Sequence, residues 1–148
     1  MPSTWSQVVL HIVFATKDRQ PFIEDSLAPR LYAFIGGIVR DEGGSLWQAG
    51  GMPDHVHLLV RAGTDKSIAE LVREVKARSS RWMHDEIGRT DFAWQKGYGV
   101  FSVSMSQVDA VKRYIQQQRQ HHASQDFGTE LRELLRRHGV EFDERYVD

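Results

Sequence analysis

The chain predicts an α+β fold built on an antiparallel sheet, and three observations carry that prediction. Short stretches with apolar residues at alternate positions are interleaved with longer ones in which apolar residues recur every three or four. The order is strand, helix, strand, strand, helix, strand, followed by two further helices. The breaks between stretches hold turn-forming residues, among them Gly43-Gly44 and Met52-Pro53-Asp54.

Residues 8–16 are dense in β-branched and aromatic side chains, which fit a pleated, half-buried surface, and form the first strand. Residues 26–41 place Leu27, Leu31, Phe34, Ile35 and Ile38 on one helix face. Ser26 is the expected cap, Pro29 is tolerated in the first turn, and Gly43-Gly44 ends the helix. Residues 45–49 read as a short strand, with Gly50-Gly51 and Met52-Pro53-Asp54 turning the chain into a second strand over residues 55–62. Residues 67–87 are helical, with Ile68, Leu71, Val72 and Val75 facing inward and Thr64 as the expected cap.

Residues 97–104 form a strand with Tyr98 and Val100 on one face and Phe101 and Val103 on the other. Residues 106–120 form a helix capped by Ser106 and carrying Val108, Val111 and Ile115; a last helix runs from about Phe127 to Arg137 and stops at Gly139. A βαββαβ order predicts a ferredoxin-like antiparallel sheet with helices on one face, here extended by C-terminal helices. No repeat, low-complexity tract or linker interrupts it. Residues 1–148 read as a single domain, its core over about residues 8–122 and its C-terminal helix and tail over 123–148.

Composition narrows the function. With 41% hydrophobic residues over 148 positions the chain can bury a core, and with no cysteine it has neither disulfides nor thiolate chemistry. Residues 1–7 lack a basic cluster and His11 interrupts the apolar run after them. Neither a signal peptide nor a membrane span is expected, and a cytoplasmic location is. The net charge of −1 is unevenly spread: residues 1–122 hold 15 basic and 13 acidic side chains, and residues 123–148 hold 4 and 7. A nucleic-acid surface would therefore be a local patch rather than a property of the whole field.

Chemistry concentrates in two short segments. His55 and His57 are two apart on a strand, so both imidazoles leave the same face, together with Leu59 and Arg61, while Val56, Leu58 and Val60 leave the other. With the apolar side under the helices, the imidazoles fall on the open side of the sheet. Tyr114 and Gln118 are four apart in a helical segment and share a face. Taken singly, each pair has a plainer reading: strand histidines in ordinary polar contacts, a packed tyrosine, a surface glutamine. Together they offer two imidazole nitrogens, an amide oxygen and a phenol, the parts of a divalent-metal site with a tyrosine nucleophile.

His121 and His122 follow about two turns after Tyr114 and are read as supporting or structural. The candidate DNA-binding residues are Lys76, Arg78 and Arg81 on the second helix and Arg113 and Arg119 around the tyrosine. Such residues would contact phosphates without reading bases, although basic runs of this kind are commonly solvated helix faces. Trp82, Trp94, Tyr98 and Phe101 could stack unpaired bases if they were not core.

The chain resembles the single-tyrosine transposases of the HUH superfamily (His, hydrophobic residue, His), the small kind encoded by insertion sequences. The resemblance is carried by residues 11–17 (HIVFATK), 52–60 (MPDHVHLLV) and 94–104 (WQKGYGVFSVS), then by Tyr114-Ile115 with Gln118 and His121-His122, and by residues 141–146 (EFDERY). It implies that His55, His57 and Gln118 bind Mg²⁺ or Mn²⁺ and that Tyr114 attacks phosphorus. The product would be a 5′-phosphotyrosine and a free 3′-hydroxyl, which a second 3′-hydroxyl can reverse to join new strands. It further implies single-stranded DNA with hairpin ends as the substrate, and a homodimer whose site is completed in cis or in trans. A non-catalytic module that binds hairpin DNA or RNA is the competing expectation, and a larger HUH replication or mobilisation nuclease is a third.

Overall fold

The computed structural model describes residues 3–122 and 125–147, with His121 by its backbone alone. Among the described residues the strands and α-helices are β1 (Val8–Ala15), α1 (Ala28–Asp41), β2 (Ser45–Met52), β3 (His55–Ala62), α2 (Ile68–Asp85), β4 (Gly99–Ser102), α3 (Val108–Gln116), α4 (Gln118–His121) and α5 (Phe127–Arg137). The strands form one sheet in the order β2-β3-β1-β4, and every neighbouring pair is antiparallel. This is the βαββαβ arrangement that the alternation of periods predicts.

Alternation decides what each face of the sheet meets. Leu10, Ile12 and Phe14 of β1 and Val56, Leu58 and Val60 of β3 pack against Leu31, Ile35 and Ile38 of α1 and Leu71, Val72 and Val75 of α2. The opposite face is also covered. Val9 and Leu59 pack with Val108 and Ile115 of α3, while Val13 and Ala15 pack with Phe127 and Leu134 of α5. The sheet is thus enclosed on both sides, and the face expected to be open lies beneath the C-terminal helices. That face carries the histidines. No described helix is long and apolar enough to cross a membrane.

Several local expectations are corrected. Leu27 rather than Ser26 stands at the start of α1 and makes no side-chain cap bond; Pro29 lies in the first turn as expected. Ser67, not Thr64, caps α2: its hydroxyl accepts from the Glu70 amide at 3.0 Å and donates to the Glu70 carboxylate at 3.2 Å. Ile68 does not face inward but is exposed. β4 is shorter than residues 97–104, with Gly97 in the left-handed region just before it. Ser106 does not cap α3, which follows a 3₁₀ turn over Met105–Gln107, and the helix expected to run to residue 120 breaks at Gln117.

The largest local correction concerns Gly50-Gly51. They are not turn residues but lie inside β2, which continues to Met52, so that Pro53-Asp54 alone turns the hairpin. The reason is close approach. A Cβ on Gly50 would sit 2.5 Å from the carbonyl oxygen of Ile115, at the C-terminal end of α3. Only a residue without a side chain lets the helix that holds Tyr114 settle on the strand. Gly50→Ala should therefore cost about 1–3 kcal/mol in a denaturant titration, since backbone rather than a flexible side chain must move. Wild-type stability in that variant would contradict this account of the glycine.

Candidate active site

Strand alternation places His55 and His57 side by side on the α3–α5 face, and both are fully buried. Their Nδ1 atoms are engaged from behind. His55 Nδ1 donates to Asp54 Oδ1 at 2.7 Å, and His57 Nδ1 lies 2.8 Å from Nε2 of His11 on the neighbouring strand. Both Nε2 atoms point into the same small space beneath α4 and α5. Such partners fix the rotation of an imidazole and leave the far nitrogen for chemistry.

Gln118 and Tyr114 reach this space from above. Gln118 is buried, and its Oε1 accepts from His55 Nε2 at 2.9 Å. The break at Gln117 means that the two residues are not on one straight helix, yet both side chains arrive at the same acceptor. The Tyr114 hydroxyl donates to Glu130 Oε2, and the Gln118 amide donates to the same oxygen at 2.9 Å. The Tyr114 ring stands edge-on to His57, with centroids 5.7 Å apart. All four residues singled out from the sequence, His55, His57, Tyr114 and Gln118, are thus brought together within one chain.

Glu130 of α5 is the residue that sequence reasoning missed. It is buried, and its Oε1 lies 3.1 Å from His57 Nε2, 3.0 Å from His122 Nε2 and 3.5 Å from His55 Nε2. A signal for it exists in the sequence: Glu130 falls three residues after Phe127 and four before Leu134, on the stripe of α5 that packs on the sheet. A carboxylate on an apolar stripe is costly to bury unless something pairs with it. His122, read as supporting, also reaches the cluster. His55, His122 and Glu130 offer ligand atoms all within 4.8 Å of one another, a group able to hold a metal ion. Nothing is described of the His121 side chain.

The electrostatics follow from burial opposed by pairing. Burial alone would lower the His55 pKa, but hydrogen bonds to Asp54, Glu130 and Gln118 raise it to about 9. Burial depresses His57 despite its contact with Glu130, and burial together with His57 takes His11 down to about 3. Burial opposes the charge on Glu130, yet its imidazole partners hold the carboxyl well below the ordinary range. Burial and the Glu130 carboxylate both push the Tyr114 phenol up, so it keeps its proton at neutral pH.

The basic candidates divide by face. Lys76, Arg78 and Arg81 lie on α2, across the sheet from the histidines. The Lys76 ammonium donates to the Gln95 carbonyl at 2.9 Å and sits 5.2 Å from the Phe14 ring centroid, with its pKa lowered by burial to about 8. Arg78 pairs with Asp41 at 3.0 Å, and Arg81 is exposed. Arg113 and Arg119 are exposed on the segment that carries Tyr114, where Arg119 pairs with Asp25. Of the aromatic candidates, Phe101 is core, Trp82 stacks on Phe34 and Trp94 packs on Phe14; Tyr98 is partly exposed.

Comparison with known proteins identifies the family. Residues 4–118 match the family model described as transposase, IS200-like. The chain is 25% identical over 118 residues to the ISDra2 transposase TnpA of Deinococcus radiodurans, covering 76% of this chain and 84% of that protein. It is similar to a crystal structure of a Deinococcus radiodurans R1 protein assigned as a transposase, with a TM-score of 0.65 and 27% identity, over 80% of this chain and 95% of the other. It also shares its fold with a REP-associated tyrosine transposase bound to a REP hairpin, with a TM-score of 0.61 and 14% identity, over 82% and 73% of the two chains.

Proposed function

We propose, from the premise that this chain belongs to the IS200-like transposase family, that it cleaves and rejoins single-stranded DNA at insertion-sequence ends, with Tyr114 as nucleophile. One observation carries the reading. The Tyr114 hydroxyl and the Gln118 amide converge with the His55 and His57 imidazoles on a single buried point of one chain. Packing alone does not require a phenol, an amide and two imidazoles to meet there.

The donor set fits a divalent cation. His55 and His57 each turn Nε2 inward, Gln118 adds an amide oxygen, and the nitrogens facing outward are held by Asp54 and His11. In our reading His55, His57 and Gln118 hold Mg²⁺ or Mn²⁺, oxygen donors and phosphate chemistry favouring a hard ion. Such an ion, when bound, polarises the scissile phosphate and offsets its charge.

The remaining work belongs to the chain. Tyr114 forms a bond from its phenol oxygen to phosphorus as the bond to the 3′ oxygen breaks, leaving a 5′-phosphotyrosine and a 3′-hydroxyl. The phenol is protonated at rest and its hydrogen bond to Glu130 orients its oxygen; the proton it gives up is taken, overall, by the departing 3′ oxygen, which leaves as the hydroxyl. The phosphodiester is conserved in the covalent link, so a different 3′-hydroxyl can reverse the step without ATP.

Hairpin recognition by shape is part of the proposal. Arg113 and Arg119, on the segment that carries the nucleophile, are the best placed of the basic candidates to hold phosphates near it. Lys76, Arg78 and Arg81 would do so only for DNA that also passes over α2. Because the site groups converge within one chain, a homodimer of the kind proposed would carry two such sites.

Incubating the full chain with labelled hairpin-containing single-stranded DNA and Mg²⁺ should give a covalent protein–DNA adduct. Tight binding with no adduct would favour the non-catalytic module instead. The metal-free His55 has a pKa of about 9 and must lose its Nε2 proton to ligate. Ion and proton therefore compete below that value. Mn²⁺ affinity should rise by about tenfold per pH unit from neutrality towards pH 9 and then level off. Calorimetric titrations across that range check it, and a flat profile would contradict the protonated imidazole.

A further inference from the structure

We propose that Glu130 is itself a metal ligand, delivered by α5, and that its second carboxylate oxygen positions the hydroxyl of Tyr114. The inference rests on the reading of the His55, His57 and Gln118 cluster as a divalent-metal site. It adds a residue that neither strand nor tyrosine helix supplies.

The two oxygens of Glu130 do different things. Oε1 faces the imidazoles, 3.1 Å from His57 Nε2, 3.0 Å from His122 Nε2 and 3.5 Å from His55 Nε2. Oε2 faces the nucleophile and accepts from the Tyr114 hydroxyl and, at 2.9 Å, from the Gln118 amide. Two ligand atoms each about 2.1 Å from a small hard cation, at right angles, stand about 3.0 Å apart. The separations from Oε1 to His57 and His122 match that spacing, as does the 2.9 Å from His55 Nε2 to Gln118 Oε1, while His55 Nε2 stands wider from Oε1 at 3.5 Å. The carboxylate is therefore already at the distance of a neighbouring ligand from His57, and within 3.5 Å of His55.

Its placement is built rather than incidental. The Asp126 side chain caps α5 by accepting from the Thr129 amide at 2.9 Å, and the Phe127 ring stacks on His55 with centroids 4.4 Å apart. Leu134 anchors the next turn against Val13 and Ala15. Glu130 lies between these two anchors, only 1% exposed, where its ion pairs are with His55, His57 and His122. Without an ion the imidazole partners offset the charge of this buried carboxylate, and a cation bound among the same groups takes over that role. A carboxylate ligand would also link the ion to the nucleophile through the two bonds Oε1–Cδ–Oε2 of one side chain.

The test is Mn²⁺ binding by the full chain without DNA, followed by calorimetry and by the EPR signal of free Mn²⁺, for wild type and Glu130→Gln. Circular dichroism confirms that each protein is folded. Glu130→Gln keeps the shape and removes the charge, and it should weaken Mn²⁺ binding by about 100-fold. Equal affinity would overturn the proposal. Tighter binding would overturn it too, because it would show the carboxylate competing for the ion's place. If Glu130→Gln does not fold, Glu130→Asp withdraws the oxygens by one methylene, carries the same expected loss, and is overturned by wild-type affinity. A wild type that binds no Mn²⁺ would instead sink the metal-site reading itself, so the two failures are distinguishable.

Discussion

Tyr114→Phe protein forms no covalent adduct with hairpin-containing single-stranded DNA, a loss of at least about 10³-fold in strand cleavage, in keeping with the removal of a nucleophile. The substitution is narrow. Tyr114 packs against the cluster of Val9, Leu59, Val108 and Ile115, and its ring stands edge-on to His11 and His57, all of which survives in phenylalanine. What goes is the hydroxyl and its hydrogen bond to Glu130, whose carboxylate keeps its partners in Gln118 and the imidazoles. The stability change should be about 1 kcal/mol, and Mn²⁺ binding should persist. Adducts resolved on denaturing gels provide the readout. An adduct in the variant equal to wild type would remove Tyr114 from the chemistry.

His57→Ala has the second large effect, and it has two parts. Cleavage falls below detection because an inward-facing Nε2 is lost from the proposed metal site, while affinity for hairpin DNA is largely retained, since His57 is fully buried. The protein is also destabilised by about 3–5 kcal/mol, because a cavity opens between β3 and the C-terminal helices and two buried partners lose His57. Those partners are His11 Nε2, at 2.8 Å, and Glu130 Oε1, at 3.1 Å. Denaturant titration and a hairpin-binding assay separate the two parts. If binding fell in step with cleavage in the folded variant, the histidines would be organising the DNA surface rather than the reaction.

The parts of this fold set by short-range pattern could be read directly. The alternation in residues 55–62 put His55 and His57 on one face of a strand, and the register of β3 against β1 bears that out. The spacing of Leu31, Ile35 and Ile38 placed α1, and the run of Phe127 to Gly139 placed α5 to the residue. What escaped the sequence depends on contacts between distant segments. Gly50-Gly51 has the composition of a turn, and only the approach of Ile115 from more than sixty positions away makes it strand.

The site divides in the same way. His55 and His57 were brought together by strand alternation as expected, whereas Tyr114 and Gln118, singled out at a helical spacing, lie on either side of the break at Gln117 and meet at Glu130 through packing. Glu130 was not legible, because its role depends on α5 folding back over the sheet, which no local period specifies. His11 is the same case: an imidazole within an apolar strand, given its purpose by His57 on the neighbouring strand. Caps failed where two hydroxyls competed, since Thr64 and Ser67 both precede α2 and only Ser67 has a glutamate three residues on.

The measurement that bears most directly on the chemistry is the identity of the residue joined to DNA. The wild-type adduct, treated with nuclease and then trypsin, should yield the peptide cut after Arg113 and Arg119, carrying a nucleotide through a 5′-phosphate on the Tyr114 oxygen. Fragmentation that maps the nucleotide to any other side chain, or an adduct in which this peptide is recovered unmodified, would contradict the assignment of the nucleophile and the mechanism built on it.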